Sequence, residues 1–184
     1  MAQRYIGAPI RRKEDGRFLT GQGQFVDDVK LPNMLHAAIL RSPHPHARIL
    51  SIDSSVALGM DGVAGVITFQ DIEDAVEPRP IPIRMRTYVG IERFLQYPLA
   101  KDKVRYVGEP VAMVVAETRY LAEDALDGVE VSYETLTPVV SVWQSIQGDS
   151  LLFEEHGTNL AYEFASSIGD VDQAFREADY TRKE

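Results

Sequence analysis

The side chains with the best claim to chemistry are gathered in Arg41-Ser42-Pro43-His44-Pro45-His46-Ala47, where two imidazoles stand close in sequence with His36 upstream. Histidine pairs open many divalent-metal sites, but such a site needs further ligands and converging rings. Two prolines stiffen this segment without aiming both rings one way, so it reads as a loop whose histidines cap backbone groups or face solvent. Adjacent carboxylates occur at Asp27-Asp28, Glu123-Asp124 and Glu154-Glu155. Glycoside hydrolysis would need two carboxyls about 5 to 10 Å apart across a sugar ring. Neighbours in sequence diverge on a helix or strand, and these pairs read as solvated surface. His156 can be set on paper beside Ser54, Ser55, Ser166 or Ser167 as base and nucleophile. No Gly-x-Ser-x-Gly turn supports that grouping. Gly21-Gln22-Gly23-Gln24-Phe25-Val26 has the opening of a dinucleotide-binding turn. It lacks the third glycine and a preceding strand, and Asp27-Asp28 would repel a pyrophosphate, so a tight turn needing positive φ explains it better. Trp143, Phe153 and Tyr162 read as core or interface anchors. No catalytic, cofactor-binding or metal-ligating residue is assigned from these patterns.

The elements that would position these groups are clearer than the groups themselves. A strand-helix-strand pattern occurs twice. In the second copy Val111–Ala116 is a continuous apolar run, expected as a buried strand, and Thr118 offers an N-cap hydroxyl. Leu121, Ala122, Ala125, Leu126 and Val129 then share one helical face, with Arg119, Glu123, Asp124 and Asp127 opposite. Gly128 suits the helix stop, and Val129, Val131 and Tyr133 alternate with polar residues as a half-exposed strand. The first copy is shorter: Ala47–Ile52 as strand, Ser54 or Ser55 as cap, a brief helix to Met60, a turn at Asp61-Gly62, and Val63–Phe69 as strand. Met34–Leu40 is a further strand ahead of it. Between the copies Glu77-Pro78-Arg79-Pro80-Ile81-Pro82-Ile83 is an extended surface connector, preferred over a proline-motif ligand. Near the end Asp170-Val171-Asp172-Gln173 has the form of a capping box, with Gln173 reaching back to Asp170. Val171, Ala174, Phe175 and Ala178 follow as an apolar face, and Asp179–Glu184 reads as the start of a strand. Alternating strands and helices favour a mixed α/β or α+β architecture.

Composition narrows the function classes. The 184 residues suffice for one ordinary domain with a conventional core; 45% are hydrophobic and 26% charged, as in soluble globular proteins. The net charge of −9 argues against sequence-independent nucleic-acid binding. With no cysteine, the chain cannot itself provide disulfides, thiolate zinc ligands or iron–sulfur ligation by thiolates. No apolar run approaches the roughly 20 residues of a bilayer span, and a cytoplasmic location is expected.

The parsed stretches resemble, in order and spacing, the large subunits of molybdenum hydroxylases of the xanthine dehydrogenase, aldehyde oxidase and carbon monoxide dehydrogenase type. The resemblance rests on Ile6-Gly7 to Arg12-Lys13-Glu14-Asp15, Leu19-Thr20-Gly21, the glycine turn into Phe25, Asp27 and Asp28, Leu35-His36-Ala37, and Arg41-Ser42-Pro43-His44 with Ala47-Arg48-Ile49. It continues through Tyr106-Val107-Gly108-Glu109-Pro110-Val111-Ala112, Val115-Ala116-Glu117-Thr118-Arg119-Tyr120, Ala122-Glu123-Asp124-Ala125 and Val129–Leu136. It closes on Asn159-Leu160, Gly169-Asp170-Val171 and Ala174–Asp179, so nearly the whole chain is covered.

The resemblance implies an α+β fold, the α/β hammerhead, with mixed sheets and two strand-helix-strand units. The organisation expected is a single domain over 1–184 with an extended amino-terminal segment over about 1–30. The family reaction is hydroxylation of a carbon centre with oxygen from water, or oxidation of carbon monoxide. Its cofactors are molybdopterin, often as the cytosine dinucleotide, together with [2Fe-2S] clusters and FAD, all expected on other segments or subunits and none on this chain. The partners implied are a molybdopterin-binding remainder of the large subunit, expected beyond Glu184, an iron–sulfur small subunit and a flavin subunit, without nucleic acid or membrane insertion. The isolated chain is expected to be inactive, a structural domain supporting the molybdenum-binding region and subunit assembly. The alternative is a stand-alone scaffold or interaction module that reuses the hammerhead fold.

Overall fold

The computed structural model describes residues 6–83, 90–166 and 168–183. The chain divides into two compact units, Met1–Leu35 and His36–Glu184. In the first unit a short helix, α1 (Asp15–Leu19), leads into the glycine turn. Gly21 takes φ +70°, and a Cβ on Gly23 would lie 2.7 Å from the ring of Phe18, which stacks on Phe25 at 5.7 Å. The Phe25 N–H donates to Asp28 Oδ2 (2.9 Å), so this aspartate closes a one-turn 3-10 helix rather than facing solvent unengaged. The glycines here serve a turn with an aromatic lid.

The second unit contains β1 (His36–Arg41), β2 (Ala47–Asp53), α2 (Ser55–Leu58), β3 (Val63–Ile67), α3 (Phe69–Ala75), β4 (Lys103–Val104), β5 (Pro110–Ala116), α4 (Arg119–Asp124), β6 (Glu130–Thr135), α5 (Val142–Gln147) and α6 (Val171–Glu177). Its strands form two three-stranded sheets, ordered β1-β5-β3 and β4-β2-β6. The α+β hammerhead class expected from the sequence holds. One detail is corrected: all four described ladders are antiparallel, so the sheets are not mixed. Each strand-helix-strand unit sends its two strands to different sheets. In consequence every described ladder joins one of the first three strands to one of the last three.

The central strand β5 is apolar on both faces, as its continuous Val-Ala-Met-Val-Val-Ala run requires, and Val111 and Val114 are fully buried. In β2, Ile49 and Ile52 both pack inward although their spacing is odd. The register slips between Ile49 and Ser51, which pushes Leu50 out to 62% exposure and returns Ile52 to the core. Thr118 caps α4 as expected, its hydroxyl accepting the Leu121 N–H at 3.1 Å. The helix tightens into a 3-10 turn over Ala125–Gly128, and Ala122, Ala125 and Val129 are buried. Gly128 lacks positive φ; its role is close approach, because a Cβ there would sit 2.9 Å from the backbone nitrogen of Ala57 on α2. Ala57, Val114, Ala125 and Val129 form a cluster that also gathers Ile52 and Val131 from the other sheet. The core thus lies where the two crossover helices meet the two sheets.

Several local expectations change. The strand expected over Val63–Phe69 stops at Ile67 because Thr68 turns the chain into α3, with its N–H and hydroxyl both donating to Asp71 Oδ2 at 2.7 Å. Ser54 is the N-cap residue of α2, as expected, but its hydroxyl makes no capping bond; the Asp53 carboxylate accepts the Ser55 N–H at 2.9 Å instead. Asp170 caps α6 by accepting the Gln173 N–H (2.8 Å), but the Gln173 side chain reaches forward to Glu177 (2.7 Å) rather than back. Residues 179–183 are irregular, without the strand expected there, and Glu184 lies outside the described residues.

Candidate functional site

The Arg41–Ala47 segment is occupied with holding the chain together. Leaving β1, the Arg41 guanidinium donates to the Gly108 carbonyl (2.9 Å), and Ser42 exchanges backbone bonds with Gly108 and Glu109 (2.8 and 2.9 Å). The buried Ser42 hydroxyl also closes the turn by accepting the His44 N–H at 3.0 Å. The His44 ring stands edge-on to Tyr133 at 4.9 Å. His46 is buried; its Nδ1–H donates to the Thr137 carbonyl at 2.8 Å, which leaves Nε2 as the ring's other polar atom. That Nε2 is buried and unpartnered. His36 sits at the far end of β1, opposite Ala116, so the three histidines do not converge. Among the described residues no group of three His, Asp or Glu side chains could hold a metal ion.

The densest set of ionisable side chains lies elsewhere, around a cleft of about 760 Å3 between β2, the 92–105 stretch and the turn at 153–156. Lys103, its side chain 7% exposed on the two-residue strand β4, points its Nζ at Glu154 Oε2 (3.2 Å). Arg48 on β2 reaches the same oxygen at 3.5 Å and Glu134 at 3.7 Å. Arg105 is the hub. Its Nε donates to the Leu152 carbonyl (2.8 Å), its guanidinium lies 4.3 Å over the Phe153 ring, and Nη2 approaches Glu155 at 3.7 Å. His156 donates Nε2–H to the Arg93 carbonyl (2.7 Å) and packs against Phe94 and Phe153. Glu154 and Glu155, which the sequence reading left on solvated surface, are half-exposed yet anchor this turn to the sheet.

The electrostatics follow from those contacts. The hydrogen bond from Lys103, and then its charge, hold the Glu154 carboxyl below its ordinary value. Burial pushes the Glu109 carboxyl up, against the opposing pull of the Arg105 N–H that it accepts and the Arg105 charge. Each of the three cations turned toward the 153–156 turn meets a carboxylate of that turn. What the arrangement does chemically is cross-link three chain segments across a cleft. Sequence reasoning missed it because Lys103 and Arg105 meet Glu154 and Glu155 only through folding; the single local hint was the short Lys-Val strand between turns.

The remaining candidates are dispersed. Glu123 pairs with Arg119 on the polar face of α4 (3.2 Å). His156 is engaged by Arg93 and the two rings, and bonds to none of Ser54, Ser55 and Ser166; Ser167 lies outside the described residues. Phe153 belongs to the Arg105 cluster, whereas Trp143 is 76% exposed.

Two antiparallel sheets laced by crossover helices, with the titratable cluster serving as a cross-link, make the α+β arrangement of a hammerhead domain. The family model for the aldehyde oxidase and xanthine dehydrogenase a/b hammerhead domain matches residues 20–137. Similar proteins include the nicotine 6-hydroxylase large subunit of Paenarthrobacter nicotinovorans, 43% identical over 95% of this chain and 21% of that protein. The carbon monoxide dehydrogenase large chain of Afipia carboxidovorans is 36% identical over 97% of this chain and 23% of its own length. A crystal structure of the Cu,Mo-CO dehydrogenase in its carbon monoxide reduced state superposes with a TM-score of 0.69 and 39% identity, covering 82% of this chain and 18% of that one. The chain belongs to the aldehyde oxidase and xanthine dehydrogenase hammerhead family, within large subunits of molybdenum hydroxylases. It spans about a fifth of the length of the curated relatives it matches.

Proposed function

We propose that this chain is the hammerhead part of a molybdopterin-dependent oxidoreductase large subunit, supporting the molybdenum-binding region and the assembly of subunits without performing turnover by itself. One observation carries the reading: the relatives are subunits of several-part enzymes, and the matched region is about a fifth of each. The donor chemistry of the chain agrees with it. With no cysteine it cannot supply thiolates to [2Fe-2S] clusters. On this reading the cofactors, molybdopterin with the iron–sulfur and flavin groups, belong to partners: the molybdopterin-binding remainder of the large subunit, an iron–sulfur small subunit and a flavin subunit. No described helix is long and apolar enough to cross a membrane, in keeping with a working place in the cytoplasm.

The test is reconstitution. Produced together with the region that follows the hammerhead in its relatives and with an iron–sulfur subunit, the chain should elute as one complex. A monodisperse monomer that binds neither, or turnover of a substrate by the purified chain alone, overturns the proposal.

A further inference from the structure

Aspartate followed by glycine occurs three times in the chain, at Asp15-Gly16, Asp61-Gly62 and Asp127-Gly128. Such a pair can rearrange without any enzyme, because glycine has no Cβ to keep its amide nitrogen from the neighbouring side-chain carboxyl. The reaction needs an unengaged carboxyl, an amide N–H that is not donating, and a peptide plane able to turn. The fold withholds these from two of the pairs. Arg12 grips Asp15, its Nε donating to Oδ1 (2.9 Å) and its backbone N–H to Oδ2 (3.2 Å), so this carboxyl is not free to meet the Gly16 nitrogen. Asp127 lies in the 3-10 turn Ala125–Gly128, where a Cβ on Gly128 would stand 2.9 Å from the Ala57 backbone nitrogen, so the 127–128 peptide has no room to swing. Asp61 differs on each count. It is exposed in the turn between α2 and β3, and its carboxyl has no hydrogen bond or ion pair to a described residue. The Met60 carbonyl accepts the Val63 N–H at 3.2 Å and Gly62 takes φ +85°, in the manner of a type II turn, which leaves the Gly62 N–H without an acceptor among the described residues. The atoms nearest a Cβ on Gly62 are the ends of the Leu121 and Glu117 side chains, which can move, rather than backbone.

We infer that Asp61-Gly62 is a site of spontaneous covalent modification, at which the chain converts aspartate to isoaspartate and thereby unlatches β3. The Gly62 nitrogen attacks Asp61 Cγ and forms an N–Cγ bond; the Cγ hydroxyl departs as water with the amide proton, closing a cyclic imide. Water then adds at the main-chain carbonyl carbon of Asp61 and breaks the bond from that carbon to the Gly62 nitrogen. The chain now runs through Cγ, with a free α-carboxylate as a branch. Addition of water at Cγ instead restores aspartate. Atoms balance in both directions, and nothing is oxidised or reduced. The product carries an extra backbone carbon directly before β3. That strand is the edge of its sheet, and its first pairing, Val63 with Ala116, is flanked by the Glu117 N–H donated to the Gly62 carbonyl at 2.9 Å. Lengthening the backbone between Met60 and Gly62 displaces both contacts, so the strand opens from this end while β1 and β5 stay paired.

The experiment uses the full-length polypeptide assembled with its partner subunits and aged for weeks in warm, mildly acidic buffer. Isoaspartate at each pair is quantified by electron-transfer fragmentation, whose ions distinguish the two linkages. In the assembly, position 61 should exceed positions 15 and 127 severalfold, whereas in chain held unfolded in urea the three should come close together. Hydrogen exchange of residues 63–67 should quicken with age in the parent and not in Asp61→Glu, which keeps the carboxyl but disfavours the imide by enlarging its ring. If that variant does not assemble, the parent before and after ageing, with its isoaspartyl peptides separated by chromatography, reads the same change. Comparable yields at the three positions in the folded assembly, a lower yield at 61 than at either other position, the same ratio in urea, or exchange of 63–67 unmoved by ageing overturns the inference and leaves the proposed function standing.

Discussion

The two ends of the second unit are held together by different physics. Over β1–β3 and β5–β6 the apolar residues are inside, with Ala57, Val111, Val114, Ala122 and Ala125 fully buried and the crossover helices touching at Gly128. From Leu136 onward burial is thinner: ion pairs and the Phe153 ring hold the 152–156 turn at Lys103 and Arg105, while Val140, Trp143, Ile146 and Phe164 are exposed. The helix α6 is exposed on every side, with Val171 and Phe175 at 53% and 64%. The first region closes its own core, whereas the second attaches mainly through polar contacts and leaves large apolar side chains exposed.

The sharpest way to break that contrast is to place the same charge in both regions. Val114→Asp should cost the 184-residue chain about 4 kcal/mol or more in urea unfolding, since it buries an unpaired carboxylate, whereas Trp143→Asp should stay within about 1 kcal/mol. Equal losses would show that α5 belongs to the core. Next in size, Leu126→Ala should cost about 2 to 3 kcal/mol, because this side chain joins two buried clusters. A loss under about 1 kcal/mol would mean that the α4 face does not pack as described. Smaller still, Arg105→Ala should lower global stability by only about 1 kcal/mol while amide exchange of residues 152–156 accelerates and that of β5 does not. Uniform acceleration would merge the regions.

The smallest effects depend on pH and have opposite signs. Glu109 carries a raised carboxyl, so the folded chain holds this proton more tightly than the unfolded one; its contribution favours folding in acid and is lost as pH rises through the folded value. Glu109→Gln should therefore compare more favourably with the parent at neutral pH than in acid. Glu154 is the reverse: its lowered carboxyl stabilises above the ordinary value of 4.5, and that contribution fades as pH falls through the folded value. Glu154→Gln should flatten the acid-induced loosening of 152–156, read by hydrogen exchange across a pH series.

Much of the core was legible in the sequence because it is written in local periodicity. The apolar run of β5, the Thr118 cap and the alternation after Gly128 each fit one element only, and all three are found. Elements set by tertiary contact were not legible. The strand β4 exists because β2 offers it an edge, and α3 needed Thr68-x-x-Asp71 to outweigh the β-propensity of the preceding residues. For the same reason the Arg105 cluster escaped, as its members lie far apart in the chain.

The pairing of the first three strands with only the last three has a consequence for how the chain is made. Until the ribosome has released the second half, the strands β1, β2 and β3 have none of the partners described here, so none of this sheet hydrogen bonding can form during emergence of the first half. High sequence separation of contacts also slows folding once the chain is free. By the same logic, two fragments divided within the proline-rich 77–83 connector should each be unstructured alone and reconstitute one fold on mixing.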